Sequence, residues 1–284
     1  MRKITATFLL LCLATPATWA SGHGPVFGFA TPTNSKGEWA FDFGASWRRA
    51  AGTEMTIRSM ATYGFTPHLQ FSLSVPGMPL TAHAPPSRNM AGDIEGTLAW
   101  RFHRNAFKAG TRFESTVFTG VVVPSIQRTP GLLGQLRRAP GAHVGIASGL
   151  ASRSHYAWVG GGYTHFVTSS GDRRPPVFNY SLVYGYRPPS LRTDYPRWDW
   201  RIFAEMTGEK WGSIRQLGVP LSNTGGHQVF LGPTTLGIYK NFAISGGVQF
   251  PVYRDTSSVF PREKVRVAVN FSYFLFRFKG DHHP

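Results

Sequence analysis

Residues 39–48 read WAFDFGASWR, with Trp39, Phe41, Phe43, Ala45 and Trp47 on one parity and Ala40, Asp42, Gly44, Ser46 and Arg48 on the other. A period of two belongs to a strand whose two faces meet unlike surroundings. The alternation returns over 55–64, 69–76, 93–102, 107–123, 143–151, 156–167, 178–186, 198–206, 228–238, 242–252 and 264–278. The pattern predicts twelve strands. Most run near the roughly 9–11 residues with which a tilted strand crosses a hydrocarbon layer.

The links between these segments carry separate information. FTPH, HRNA and SRSH join the second segment to the third, the fourth to the fifth and the sixth to the seventh, and Tyr239-Lys240-Asn241 joins the tenth to the eleventh. The links at 49–54, 77–92, 124–142, 168–177, 207–227 and 253–263 are mostly longer. Short turns alternating with long loops predict a barrel with turns in the periplasm, loops outside and both chain ends at the turn end. The link 187–197, RPPSLRTDYPR, departs from the rule by being long where a turn is expected.

The two faces separate by chemistry. One parity collects apolar positions such as Ile57, Phe71, Leu73, Leu98, Trp100, Leu182, Tyr184, Ile202, Ile244, Val269 and Phe271, with Arg277 its only charge. The other collects Asp42, Arg48, Arg58, Asp93, Glu95, Arg101, Lys108, Arg112, Glu114, Asp199, Arg201, Glu205, Lys264 and Arg266, the candidate lumen-lining residues. A charge at the bilayer midplane costs about 2–4 kcal/mol, so lipid outside and a polar interior would enforce this partition. A soluble sandwich shows the same local period. The Trp and Tyr near strand ends, as in an interfacial belt, favour an all-β transmembrane antiparallel barrel. The faces of 156–167, which is glycine-rich, and of 228–238, which holds Pro233, stay unassigned.

Composition then narrows the setting. Arg2 and Lys3 precede the apolar run FLLLCLA, and Thr18-Trp19-Ala20 offers a cleavage site, so 1–20 is expected to be a signal peptide and 21–284 the barrel. A lipoprotein signal at Cys12 is the rival reading, but Leu11 is bulky for it. Cys12 is the only cysteine; the exported chain can form no disulfide and no thiolate site. No stretch after the signal reaches the roughly 18 apolar residues of a membrane helix. The formal charge of +16 comes from scattered Arg rather than basic runs. Partners are therefore expected to be outer-membrane lipid, lipopolysaccharide and a small solute rather than nucleic acid.

Asn223-Thr224-Gly225-Gly226 and the following HQVFLGPTTLGIYKNFAISGGVQFPVY, with ATYGFTPHLQFSLSVP and HGPVFGFATPTNSKGEWAFDFG earlier, resemble the outer-membrane family of the meta-cleavage pathway of phenol degradation. The resemblance covers most of the mature chain. It implies an outer-membrane barrel that passes solutes, and it supplies no catalytic or ligand residue.

The candidate chemistry is sparse. The inward set holds six acids and eight bases, a near balance that suits mutual pairing as well as solute guidance. Phe118, Phe203, Phe274 and Phe276 share this parity and either line a path for aromatic solutes or plug the lumen. An outer-membrane lipid hydrolase would need a Ser polarised by a His on the outer wall. His143, His155, His165 and His227 are scattered without such a partner, so no enzyme, cofactor or metal is expected, and His23, His282 and His283 read as solvated polar residues. Arg88, Arg128, Arg137, Arg138, Arg173, Arg174, Lys210, Arg215, Arg254 and Arg262 fall in or beside loops. Arg forks suit phosphate, so they are expected to adhere to outer-leaflet glycolipid or to collect anions at the mouth.

Overall fold

A computed structural model describes residues 24–49, 53–76, 93–124, 139–169, 171–193, 196–222, 224–256 and 262–275. The expected signal peptide and residues 276–278 of the last predicted strand lie outside them. Twelve antiparallel strands close into one barrel: β1 (Trp39–Arg49), β2 (Thr53–Thr66), β3 (Leu69–Pro76), β4 (Ile94–Lys108), β5 (Thr111–Val123), β6 (Gly141–Ala151), β7 (His155–Phe166), β8 (Val177–Tyr186), β9 (Asp199–Trp211), β12 (Gly226–Tyr239), β13 (Phe242–Thr256) and β14 (Val265–Leu275). Between β9 and β12 a separate small hairpin pairs β10 (Arg215–Gln216) with β11 (Val219–Pro220). Closure runs from Trp39↔Leu275 to Arg49↔Val265, so the barrel sheet itself has no open edge.

Alternation along each strand translates into two surfaces. On β8, Phe178, Leu182, Tyr184 and Tyr186 are exposed on the outer wall, while Val177, Asn179, Ser181 and Val183 are buried within. Phe43, Leu73, Leu98, Val144, Ile146, Val159, Ile202, Ile244 and Val269 extend the apolar wall around the barrel. A patch of that extent is unsuited to water and suits the lipid of an outer membrane. At the end with the short turns, rings pack against one another on the same wall. Trp39 lies 4.7 Å from Tyr63, Trp198 5.3 Å from Tyr239 and Phe242 5.1 Å from Tyr273. This is an aromatic belt at one membrane interface.

Several boundaries differ from the sequence-based expectation. The turn between β4 and β5 is not His103–Ala106. Both strands run on to pair Lys108 with Thr111, and Gly110 makes the turn with a φ of 76°. Local propensity could not show this, because HRNAFK carries turn-like polar residues but continues the ladder. β9, β12 and β13 also outlast their apolar alternation, with Lys210 opposite His227 and His227 opposite Asp255. Backbone pairing continues there past the lipid-facing band. The long link after β8 contains a 3₁₀ turn, Pro189–Leu191, and Arg187 Nε at its start donates to Asp199 at 2.6 Å.

The strands with unassigned faces turn large residues inward. Tyr156 and Trp158 of β7 and Phe230 and Leu236 of β12 are buried, as are Phe203 of β9 and Phe274 of β14. Most of them pack with Val183, Ala40 and Ala243 into an apolar cluster inside the barrel. The lumen of this barrel thus has a core of its own.

Candidate functional site

The lumen is occupied by the chain itself. Residues 24–31 are buried, and their contacts are with inward side chains of strands on several sides of the barrel. The Val26 and Phe27 amides each donate to Glu205 at 2.7 Å, and the Gly28 amide does so at 2.8 Å. Phe29 N–H donates to Ser181 Oγ at 2.8 Å, and its ring stacks on Phe118 with centroids 5.3 Å apart. The Thr31 carbonyl accepts from Thr116 Oγ1, and Thr31 Oγ1 accepts from Trp158 Nε1 at 3.2 Å. Asn34 N–H donates to Gln70 Oε1 at 2.7 Å. The segment leaves through the turn end, where Gly37 N–H reaches the Gly64 carbonyl before β1 begins.

Glu205 is the anchor of this thread. It sits at the middle of β9 and is fully buried. Its partners are three successive amides and the hydroxyl of Thr234 on β12. No Lys or Arg among the described residues pairs with it. A buried carboxylate without a cation is tolerable only when its oxygens are fully bonded, and here the thread supplies three of the four donors. Gly28 makes the approach feasible: a Cβ there would run into Val183 and would lie 3.2 Å from Ser181 Oγ.

Two small clefts border the thread and both touch Phe118; each encloses about 20 Å³, room for about one water molecule. One is lined by Glu95, Val122, His143, Thr164 and Asn179 with Phe29 and Phe118. The other is lined by Met60, Gln70, Ser72, Thr97 and Ala99 with Phe118 and Pro32.

The candidate lumen residues sort into distinct environments. Toward the loop end, Arg266 binds Glu209 and Glu263 at 2.5 Å each and lies 3.7 Å over the Phe230 ring, while Arg48 meets Glu263 at 3.4 Å. Arg58 pairs with Glu95 at 2.9 Å, and Asp93 with Arg174 at 2.7 Å. Asp42 accepts from Ser272. Toward the turn end, Asp199 pairs with Arg187 and Arg201, and Glu114 gathers Arg101, Arg104 and Arg112. Three candidates fall outside the enclosed lumen. Lys108 is exposed on the projecting hairpin, Arg112 is 44% exposed at the turn end, and Lys264 is exposed beside β14 at the loop end. Parity gives the face of a strand but not where that strand leaves the barrel.

Among the loop bases, Arg174 is a correction. It is buried under Asp93 and stacks 4.0 Å over Phe166, so it braces the loop end and is not free for solvent. Lys210, Arg215, Arg254 and Arg262 are exposed, and Arg173 is joined to Arg215 through the backbone. Arg88, Arg128, Arg137, Arg138 and Phe276 lie outside the described residues. The sequence reading missed the thread, Tyr156, Trp158 and Phe230. The available signal was VFGF at 26–29, an apolar run before the first strand with no strand of its own to join.

No family model matches the chain, and no curated protein matches it by sequence. Solved structures do match by fold. The COG4313 outer membrane channel from Pseudomonas putida F1 superposes with a TM-score of 0.62 at 11% identity, covering 88% of this chain and 100% of that one. The fold is that of an outer-membrane barrel. Weaker likenesses include LpxR from Salmonella typhimurium, with a TM-score of 0.43, 9% identity and coverage of 84% of this chain and 100% of that one. The P. putida toluene transporter TodX matches with a TM-score of 0.32 at 7% identity, over 84% of this chain and 89% of that chain. Among the described residues no group of three or more His, Cys, Asp or Glu could hold a metal ion.

Proposed function

We propose that this protein is a narrow passive channel of the outer membrane, in which residues 24–38 form the constriction that solute must pass. The carrying observation is the thread itself, clasped at Glu205 and stacked on Phe118 inside a barrel whose outer wall faces lipid. The turn end faces the periplasm and the loops face outward, as short and long connections alternate in such barrels. Small solutes that are aromatic or otherwise poorly soluble fit this reading. The clefts beside the thread join flat Phe faces to polar groups such as His143, Thr164 and Asn179, and the chain resembles the phenol-degradation family of outer-membrane proteins. The fold likeness to a structure described as an outer membrane channel agrees with it. The paired charges hold the wall in shape, leaving little net charge for ion selection.

A second reading has its own support. The apolar cluster of Tyr156, Trp158, Phe203, Leu236 and Phe274 fills part of the lumen, as it would in a plugged barrel that only anchors or stiffens. Planar-bilayer recording of the purified protein separates the two. Discrete conductance steps with weak ion selectivity are expected of the channel. A protein that inserts and stays silent, including after the clasp at Glu205 is broken, refutes it.

A further inference from the structure

At the turn end, one carboxylate oxygen is shared by three guanidinium groups. Glu114 Oε1 lies 2.9 Å from Arg101 Nη1, 3.1 Å from Arg112 Nε and 3.5 Å from Arg104 Nε. Glu114 and Arg101 are buried, whereas Arg104 and Arg112 are 48% and 44% exposed. The ladder explains the convergence: Arg104 stands directly opposite Glu114 across β4 and β5, and Arg112 lies two residues along the same face. A shift of register between Arg101 and His103 brings Arg104 to this face.

The charges do not balance. One carboxylate offsets one of the three cations, and no other acid is paired with the cluster among the described residues. Arg101 also uses its second Nη to donate to the Pro67 carbonyl at 2.6 Å. Arg104 and Arg112 meet Glu114 through Nε, which leaves their paired Nη atoms as two forks. Such forks match the oxygens of a carboxylate or phosphate. Arg153 lies against Gly110 at the tip of the same hairpin, with its Cγ and Nε 2.9 Å from where a Cβ would stand, and adds to the positive field.

We infer that Arg104 and Arg112 form an oxyanion site at the turn-end mouth of the barrel, taking the carboxylate or phosphate of a small solute. Glu114 positions both forks, and Arg101 holds Glu114. The site borders the thread, since Thr31 Oγ1 lies 3.5 Å from Glu114 Oε2. It places an anion-binding step at one end of the path proposed above. The binding itself does not depend on conduction, so a failure of either reading is visible separately.

Calorimetric titration of the folded full chain in a neutral detergent tests it, with inorganic pyrophosphate and benzoate as probes. Saturable, salt-sensitive binding is expected for the wild type. Arg104→Gln or Arg112→Gln should weaken it roughly tenfold, and the double variant further. Arg104→Lys with Arg112→Lys keeps the charge but loses the forks, and should also bind several-fold more weakly. Arg215→Gln, at the loop end, should leave binding unchanged. Heat-modifiable gel migration confirms that each variant is folded, and each single Arg→Gln change leaves Glu114 its buried Arg101 partner. No heat with wild-type protein, equal binding by the double Gln variant, or equal loss from Arg215→Gln overturns the assignment. Loss of pyrophosphate binding in phosphatidylglycerol nanodiscs but not in phosphatidylcholine ones would reassign the site to lipid head groups.

Discussion

Glu205→Gln isolates the clasp that holds the thread. The carboxylate accepts from Val26, Phe27, Gly28 and Thr234, two donors at each oxygen. A glutamine retains one acceptor oxygen and presents an NH₂ group where the other stood. Its better orientation turns the NH₂ toward Val26 and Thr234, where the Thr234 hydroxyl can accept but the Val26 amide faces a donor, and the bonds that remain are to a neutral group. Hydrogen bonds to a charged group contribute about 1.5–3 kcal/mol each against about 0.5–1.5 kcal/mol for neutral ones, so one lost bond and the weakening of the others amount to roughly 3–6 kcal/mol. Relief from burying an unpaired carboxylate offsets part of this. A residual of about 3 kcal/mol is still a factor above roughly 100 in population. The expected record in a planar bilayer is therefore more frequent and longer openings than the wild type, or openings of a larger step. Glu209→Gln is the matched control: it lies on the same strand and face but serves Arg266, and should leave gating near wild type. Identical step sizes and open times for Glu205→Gln and wild type, with the barrel folded on gels, would refute the claim that the clasp controls the path.

Four further outcomes follow from the geometry. Gly28→Val should crowd Val183 and Ser181, displacing the thread and raising conductance without loss of the folded barrel. Ile57→Arg puts a charge on the lipid-facing wall at a cost of roughly 2–4 kcal/mol and should reduce insertion into vesicles. Arg58→Ile leaves Glu95 without its partner at 2.9 Å, so it should lower thermal stability while still inserting; worse insertion than Ile57→Arg would invert the faces of β2. Reversal potentials under a salt gradient should show weak selectivity, with an anion preference at low salt that fades as screening shortens to about 3 Å at roughly 1 M; strong cation selectivity would contradict it.

The period-two pattern was enough to determine the barrel, because lipid and lumen impose opposite costs on successive side chains and leave that record in most strands. Phe178, Leu182 and Tyr184 were readable as outer wall for this reason, and Asp42, Glu95 and Glu205 as interior. The contents of the lumen were not readable in the same way. Tyr156, Trp158 and Phe230 turn inward against the usual chemistry, since the interior they enter is filled by apolar neighbours and by a segment that belongs to no strand. VFGF at 26–29 is apolar without a period to place it, and the reach of its amides to Glu205 spans 177 to 179 residues of chain. The Arg104–Arg112–Glu114 cluster depended on a bulge and on a hairpin that outruns the barrel. Parity along one strand reports the solvent on each side of it. Only closure of the sheet decides which residues meet across the interior, and closure is set by hydrogen-bond register between strands, which no single strand encodes.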